Sequence, residues 1–241
     1  MRQFFLTKIR LSYYFIIVFF IYVAVVSFIP TFKFEGGALT LFSVNSFLYG
    51  FYISPILAGQ KARIEEIHKV VRAEANAIFA MALVDAKLPD KFQDNIDVMI
   101  MDYLKEMVDH RSKAAGEKEY EKMINYCVHY KGEYQAEVDK FLEKLIANQQ
   151  NRTTFAMQMG NKVYSNEWMV TVILFTITLS FILMMDAGKG YVYKLLAALL
   201  CTGLTMLLII LAKMSTLTHK KAKQIWDPYH KLIDSHFYRI D

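Results

Sequence analysis

The fold is decided by the stretch Ser43-Val44-Asn45-Ser46-Phe47-Leu48-Tyr49-Gly50-Phe51-Tyr52-Ile53-Ser54-Pro55. It lies inside an apolar segment, yet it carries three serines, an asparagine, a glycine and a proline. A helix that faces lipid does not need these residues, and the polar ones are disfavoured there. On a helix, Ser43, Phe47 and Phe51 repeat every four residues and share one face, which Ser54 and Ala58 continue. A stripe of aromatic rings and small hydroxyls suits either a packed helix interface or the wall of a pore.

The composition indicates a membrane protein. The chain of 241 residues is 55% hydrophobic and 15% aromatic, which is too apolar for an ordinary soluble domain of this size. Four apolar runs are each near the roughly 20 residues that a helix needs to cross a bilayer core of about 30 Å. These runs are Leu11–Ile29, Gly37–Ala58, Trp168–Met185 and Tyr191–Ala212. We therefore predict an all-α fold with four transmembrane helices.

A large polar insert separates the second and third apolar runs. Its apolar residues recur at helical steps and it shows no strand alternation, so we predict helices throughout it. The first of these helices is predicted to continue from the second span beyond Ala58 without a break. Turn residues predict a helix start at Leu88-Pro89-Asp90, a turn at Ala114-Ala115-Gly116 and a break near Gly132. The tail is predicted to continue from Lys213 as a basic helix and to dock on the insert through Trp226, Tyr229, Phe237 and Tyr238. The predicted division is transmembrane helices 1 and 2 in 1–60, a cytoplasmic helical insert in 61–164, transmembrane helices 3 and 4 in 165–213, and a cytoplasmic C-terminal tail in 214–241.

Basic residues predict the orientation of the chain. They flank the spans at the N-terminus, at both ends of the insert and at the start of the tail, whereas the two short connections are poorer in them. The positive-inside rule then places both termini and the insert in the cytoplasm. The net charge of +5 is explained by these flanks and by their attraction to anionic lipid head groups, so the lipid bilayer is the expected partner and nucleic acid is not.

No recognisable catalytic constellation is present in the sequence. There is no glycine-rich phosphate loop, no G-x-S-x-G, no H-E-x-x-H and no cysteine pair at zinc spacing, and the six histidines are scattered singly. We interpret Asp85, Asp90, Asp94 and Asp97 as solvated residues at helix ends or on polar faces. The sequence therefore predicts no enzyme, no cofactor and no metal site.

Two interpretations of the second span stay open at this point. Its aromatic and hydroxyl stripe can seal a bundle of helices, or it can form a constriction that gates a pore by excluding water. A single chain supplies only one such helix, so the pore requires a ring of subunits. The candidate pore neck is Ser43, Phe47 and Phe51, and the candidate pore entrance or helix kink is Asn45, Ser46, Gly50, Ser54 and Pro55.

The segment Asn45-Ser46-Phe47-Leu48-Tyr49-Gly50-Phe51-Tyr52 resembles the second-helix signature of bestrophins, in which Ser-Phe-x-x-Gly-Phe-Tyr recurs. The stretch 71–78, the turn Lys87-Leu88-Pro89 and Tyr103 are similar to a bacterial bestrophin-like family of membrane proteins. The resemblance implies a pentamer in the bacterial plasma membrane, with Phe47 and Phe51 at two of three neck positions and Ser43 at the third, usually branched and apolar position. It does not imply calcium gating, because the acidic calcium cluster of bestrophins has no counterpart here. It does not imply the conducted ion either, because the family includes anion and cation conductors.

The expected function is thus an oligomeric ion channel of the membrane, a pentamer by the resemblance, with a hydrophobic neck that the second helix lines. Inorganic ions are the expected permeating species. Two alternatives act instead through the helical insert: a non-conducting membrane scaffold or sensor, and a membrane-disrupting effector.

Overall fold

The computed structural model describes residues 10–186, 190–218 and 224–235, and they are almost entirely helical. Within these ranges the only extended pairing is an isolated bridge between Phe32 and Met185. The all-α prediction is confirmed. The helices are α1 Leu11–Phe28, α2 Gly36–Asp85, α3 Asp90–His110, α4 Glu117–Val128, α5 Gln135–Gly160, α6 Ser165–Met184, α7 Tyr191–Ser215, a 3-10 turn Gln224–Trp226 and α8 Asp227–Asp234.

The length and apolarity of its helices indicate that the chain is a membrane protein. Four stretches are able to cross a bilayer: Leu11–Phe28, Gly36–Asp85, Gln135–Met184 and Tyr191–Ser215. Between 6% and 28% of the residues in their apolar windows are buried inside the protein. Soluble monomers rarely expose so much contiguous apolar surface, so lipid or further protein must cover it.

Helix α2 is too long to lie wholly within a membrane. Its 50 residues extend over about 75 Å, more than twice the roughly 30 Å of a bilayer core. Residues 36–60 contain no Asp, Glu, Lys or Arg, and the charged remainder begins at Lys61. The membrane-spanning segment of α2 therefore ends near Gln60, and the predicted continuation of the helix beyond Ala58 is confirmed.

The first compact unit consists of Met1–Ala62 and Lys162–His219. Its described core is a cluster of Tyr49, Ile53, Val163 and Leu211, on which side chains of α6 and α7 pack. Helix α1 lies against α7, and the Tyr22 hydroxyl and Thr205 Oγ1 are 2.8 Å apart. The connection between α1 and α2 is hydrogen-bonded to the C-terminal end of α6, because Phe32 N donates to Met184 O at 2.8 Å.

The second compact unit consists of Arg63–Asn161 and Lys220–Asp241. Its largest fully buried side chains include Tyr103, Phe141 and Tyr229. The predicted turn at Ala114-Ala115-Gly116 is confirmed, because α3 ends at His110 and α4 begins at Glu117. Gly116 has φ +67°, and a Cβ at this position would collide with the Tyr103 ring, so glycine is required there.

The C-terminal segment differs from the predicted basic helix. Helix α7 ends at Ser215, and Leu217 adopts φ +53°, which turns the backbone away from the helix axis. The predicted docking is confirmed for Trp226 and Tyr229: both are buried in the second unit, and the Trp226 ring lies 5.8 Å from that of Phe155. Phe237 and Tyr238 lie outside the described residues.

Candidate functional site

The exposed face of α2 carries the predicted neck residues. Phe47 and Phe51 are 68% and 71% exposed, and their rings stack with centroids 6.0 Å apart. Ser43, Ser54 and Ala58 are also exposed, one or two turns to either side of the ring pair. The five residues form a continuous stripe, as their spacing predicts, and we call this stripe the aromatic face.

The opposite side of α2 is bound to the rest of the first unit. Asn45 Nδ2 donates to Leu174 O at 3.1 Å and to Thr178 Oγ1 at 2.8 Å on α6. Tyr49 and Ile53 are each 3% exposed and belong to the core. Packing inside the chain therefore uses one side of α2 and leaves the aromatic face without a neighbour in the described part of the chain.

The remaining predicted site residues divide between these two sides. Ser46 Oγ is buried and, within the described residues, has no hydrogen-bond partner. Gly50 is exposed, and a Cβ there would meet nothing within 4 Å, so internal packing does not require glycine. Pro55 lies inside the helix on the exposed side. In the neck, Ser43 Oγ donates a hydrogen bond to Leu39 O at 2.9 Å. The roles of the neck and entrance residues in a pore stay predictions.

The aromatic face is uncharged but not purely apolar. Two phenyl rings stand between serine hydroxyls, along a helix segment without ionisable side chains other than tyrosine. Rings of this kind exclude water when several copies converge, while hydroxyls can replace part of the hydration shell of an ion. The arrangement can line a gated pore only if other copies of α2 complete the ring.

Sequence reasoning missed a polar cluster in the second unit. The Glu74 carboxylate is fully buried, and its two oxygens accept hydrogen bonds from the hydroxyls of Tyr103 on α3 and Tyr229 on α8, the latter at 2.6 Å. Burial raises the pKa of the Glu74 carboxyl above its ordinary value, although the tyrosine donors and the nearby Arg152 charge oppose the shift. Glu74 thus joins the long helix, the insert and the C-terminal segment.

Further residues of α4 and α5 extend this cluster. The Tyr120 hydroxyl donates to Leu145 O at 2.7 Å and accepts from Asn148 Nδ2 at 3.2 Å. The guanidinium carbon of Arg152 lies 4.2 Å from the centroid of the Tyr120 ring and 4.9 Å from that of Tyr103. These distances are within the range of cation–π attraction.

The interpretation of Asp85 as a solvated residue is wrong. Its side chain is 4% exposed, and its Oδ1 has no hydrogen-bond partner in the described ranges. Burial, with a smaller contribution from the Asp97 charge, raises the pKa of Asp85 to about 7. Asp85 is therefore an ionisable group that changes charge near neutral pH.

A sequence signal for Glu74 existed in the helical periodicity. Glu74 follows Ile67 by seven residues and Val71 by three, and it precedes Ile78 by four, so it lies on the buried stripe of α2. A carboxylate on an apolar stripe indicates a buried partner network, because an unpaired buried charge is strongly unfavourable. Spacing along one helix could not name the partners, which come from α3 and α8.

Within residues 10–186, 190–218 and 224–235, no group of three or more His, Cys, Asp and Glu residues could hold a metal ion. The exposed aromatic face and the buried Glu74 cluster are two distinctive side-chain arrangements within these ranges. Compared with protein-family models, with curated proteins and with solved structures, the chain matches none of them.

Proposed function

We propose that this protein is an ion channel of the bacterial plasma membrane, built from several copies of the chain around a pore that α2 lines. Four helices cross the bilayer in each copy, both termini are cytoplasmic, and the helices between the second and third spans form a cytoplasmic insert. The bestrophin-like signature at 46–52 favours five copies.

The observation that supports this proposal is the uncovered aromatic face. Asn45, Tyr49 and Ile53 attach α2 to its own chain, while Phe47 and Phe51 project away from that core. A lipid-facing surface gains nothing from the hydroxyls of Ser43 and Ser54, whereas a pore wall uses them. The combination therefore favours a central position for α2 over a peripheral one.

Assembly would convert the two phenylalanines into stacked rings across the pore. Phe47 and Phe51 are one helical turn apart, about 6 Å along the axis, so each copy contributes to two successive layers. A narrow apolar ring expels water and blocks ions, and a small outward movement of α2 readmits both. Ser43, in place of the third apolar neck residue, makes the outer end of this constriction wider and more polar.

Planar bilayers test the proposal. The purified full-length protein should pass unitary currents, and Phe47→Ala and Phe51→Ala should each raise the fraction of time spent open, because a smaller side chain admits water to the constriction. The matched control is Phe20→Ala on α1, which removes a ring of similar exposure, 66%, away from the aromatic face. This control should retain wild-type gating.

Two outcomes contradict the proposal. One is a bilayer that stays silent over a range of salts and voltages with the wild type and with both α2 variants. The other is a current that Phe20→Ala alters as strongly as Phe47→Ala, because the aromatic face would then have no special position in the conducting path.

A further inference from the structure

A cavity of about 320 Å³ opens in the second unit beside Tyr103 and Tyr120. Side chains of Met107, Ile124 and Phe155 contribute apolar wall to it. Its volume lies within the range of sites that bind small organic molecules. Its wall combines apolar side chains with several polar and charged ones. The cavity is remote in sequence from the aromatic face of α2.

One cation lies in the wall of this cavity. The Arg152 guanidinium stands over the faces of Tyr103 and Tyr120, and its Nη1 lies 3.4 Å from Gly116 O, to which it donates. Among the described residues, no carboxylate lies within salt-bridge distance of Arg152. Both oxygens of the nearby Glu74 are instead engaged by tyrosine hydroxyls.

This arrangement leaves Arg152 able to bind an anion. A guanidinium has five N–H donors in a rigid fork, and the described hydrogen bonds use one of them. The two tyrosine rings restrict its orientation, so little freedom is lost when a ligand binds. A planar carboxylate matches the fork through two parallel hydrogen bonds.

The charges around the opening select the type of anion. Lys113 adds a second cation to the lining, whereas Glu117 and Glu121 add two carboxylates. These four formal charges cancel, so an anion is attracted only by direct contact with the Arg152 guanidinium, and Glu117 and Glu121 repel any further negative charge on the ligand. A monocarboxylate therefore fits this site better than a phosphate dianion.

We propose that this cavity binds a small organic acid, whose single carboxylate pairs with Arg152 and whose apolar body packs on the accessible side chains of Ala114, Ile124 and Ala156. The proposal concerns the second unit alone and does not rest on ion conduction. It assigns a ligand site to the helical insert, where the sequence shows no binding motif.

Calorimetry of the full-length protein in detergent, with 2-naphthoate as the probe, tests this site. We expect 2-naphthoate to bind at least tenfold more tightly than 2-naphthamide, which has the same shape without the charge, and than 2-naphthyl phosphate, which carries more charge. Arg152→Gln should weaken binding of 2-naphthoate at least tenfold. Arg72→Gln, which removes an exposed arginine elsewhere, should leave its affinity unchanged.

A second variant separates binding from folding, because Arg152 also contacts the tyrosine cluster. Ala156 lines the cavity, and Ala156→Leu fills part of it without changing any charge, so this variant should also lose 2-naphthoate binding. The proposal is overturned if 2-naphthoate produces no binding heat, if the amide or the phosphate binds as tightly, or if Ala156→Leu binds like the wild type. Loss of binding in folded Ala156→Leu supports the site even where Arg152→Gln fails to fold.

Discussion

At the scale of single residues, two buried carboxyl groups distinguish the second unit. Glu74 has hydrogen-bond donors on both oxygens, whereas Asp85 has an oxygen without a partner in the described ranges. Burial of a carboxyl is tolerated when donors replace the lost water, and it is unfavourable when they do not. Loss of a hydrogen-bond donor to Glu74 should therefore lower the stability of the protein, whereas replacement of Asp85 by a neutral residue should raise it.

Removal of one donor from Glu74 should destabilise the protein. Tyr229→Phe takes away the hydroxyl that lies 2.6 Å from Glu74 Oε2 and leaves this oxygen buried without it. We expect the free energy of unfolding to fall by about 1–3 kcal/mol, measured by chemical denaturation in detergent. Tyr134→Phe, at a 43% exposed position, should change it by less than about 0.5 kcal/mol. Equal losses in the two variants would show that the Glu74 contact contributes nothing.

Asp85 should make stability depend on pH. Its pKa is about 7 in the folded protein against an ordinary value of 3.8, so the folded state holds a proton that the unfolded chain releases. Stability should consequently fall as the pH rises from about 4 to 7 and then level off. Asp85→Asn should abolish this decline and make the variant more stable than the wild type at pH 8, as measured by thermal unfolding at several pH values.

Asp94→Asn provides the matched control for this pH dependence. It makes the same chemical change at an exposed position of α3, and it should retain the wild-type decline. Parallel stability curves for the wild type and Asp85→Asn would contradict the assignment.

At the scale of elements, α7 is followed by a leucine, Leu217, in a left-handed backbone conformation. Thr218 N donates to Lys213 O at 3.0 Å and Leu217 N to Met214 O at 3.2 Å, the two bonds of a Schellman motif. This motif places Leu217 at φ +53°, a conformation that favours glycine. The helix therefore ends at Ser215 because these bonds satisfy its last carbonyls, although residues 216–223 contain no glycine or proline.

Replacement of this residue should stabilise the helix end. Leu217→Gly removes the steric strain of the left-handed conformation, and we expect the free energy of unfolding to rise by about 0.5–1 kcal/mol. Thr216→Gly changes the neighbouring position, where φ is −94° and no strain exists, so it should lower stability. Thermal unfolding in detergent measures both variants, and a loss of stability in Leu217→Gly would mean that contacts of the leucine side chain outweigh the strain.

Hydropathy and periodicity predicted most of the helices, because helix formation depends on the chemistry of residues that are close in the sequence. The helix breaks near Gly116 and Gly132 and the start of α3 after Pro89 follow from turn residues, and the structure confirms each. Contacts between distant elements were predicted only where aromatic residues marked them, as at Trp226 and Tyr229. The periodicity of α2 could have indicated the burial of Glu74, but not its partners, which come from α3 and α8. The burial of Asp85 was missed because it lies at the end of α2, where acidic side chains are usually solvated.

At the scale of the whole molecule, the exposed apolar surface requires a partner. The spans bury at most 28% of their apolar windows within one chain, and the aromatic face of α2 is uncovered. Lipid suits the apolar surface of α1, whose serines, Ser12 and Ser27, lie near its two ends. The serines beside the ring pair of α2 favour contact with further copies of the chain instead. Several chains are therefore expected to assemble with their α2 helices at the centre.

Native mass measurement of the purified protein in detergent decides whether the chains assemble in this way. One chain has a mass of 28.0 kDa, and we expect a complex of five times this mass. A species at 28.0 kDa, with no larger assembly over the range of protein concentrations used for bilayer recordings, would contradict it, because one α2 helix cannot enclose a pore.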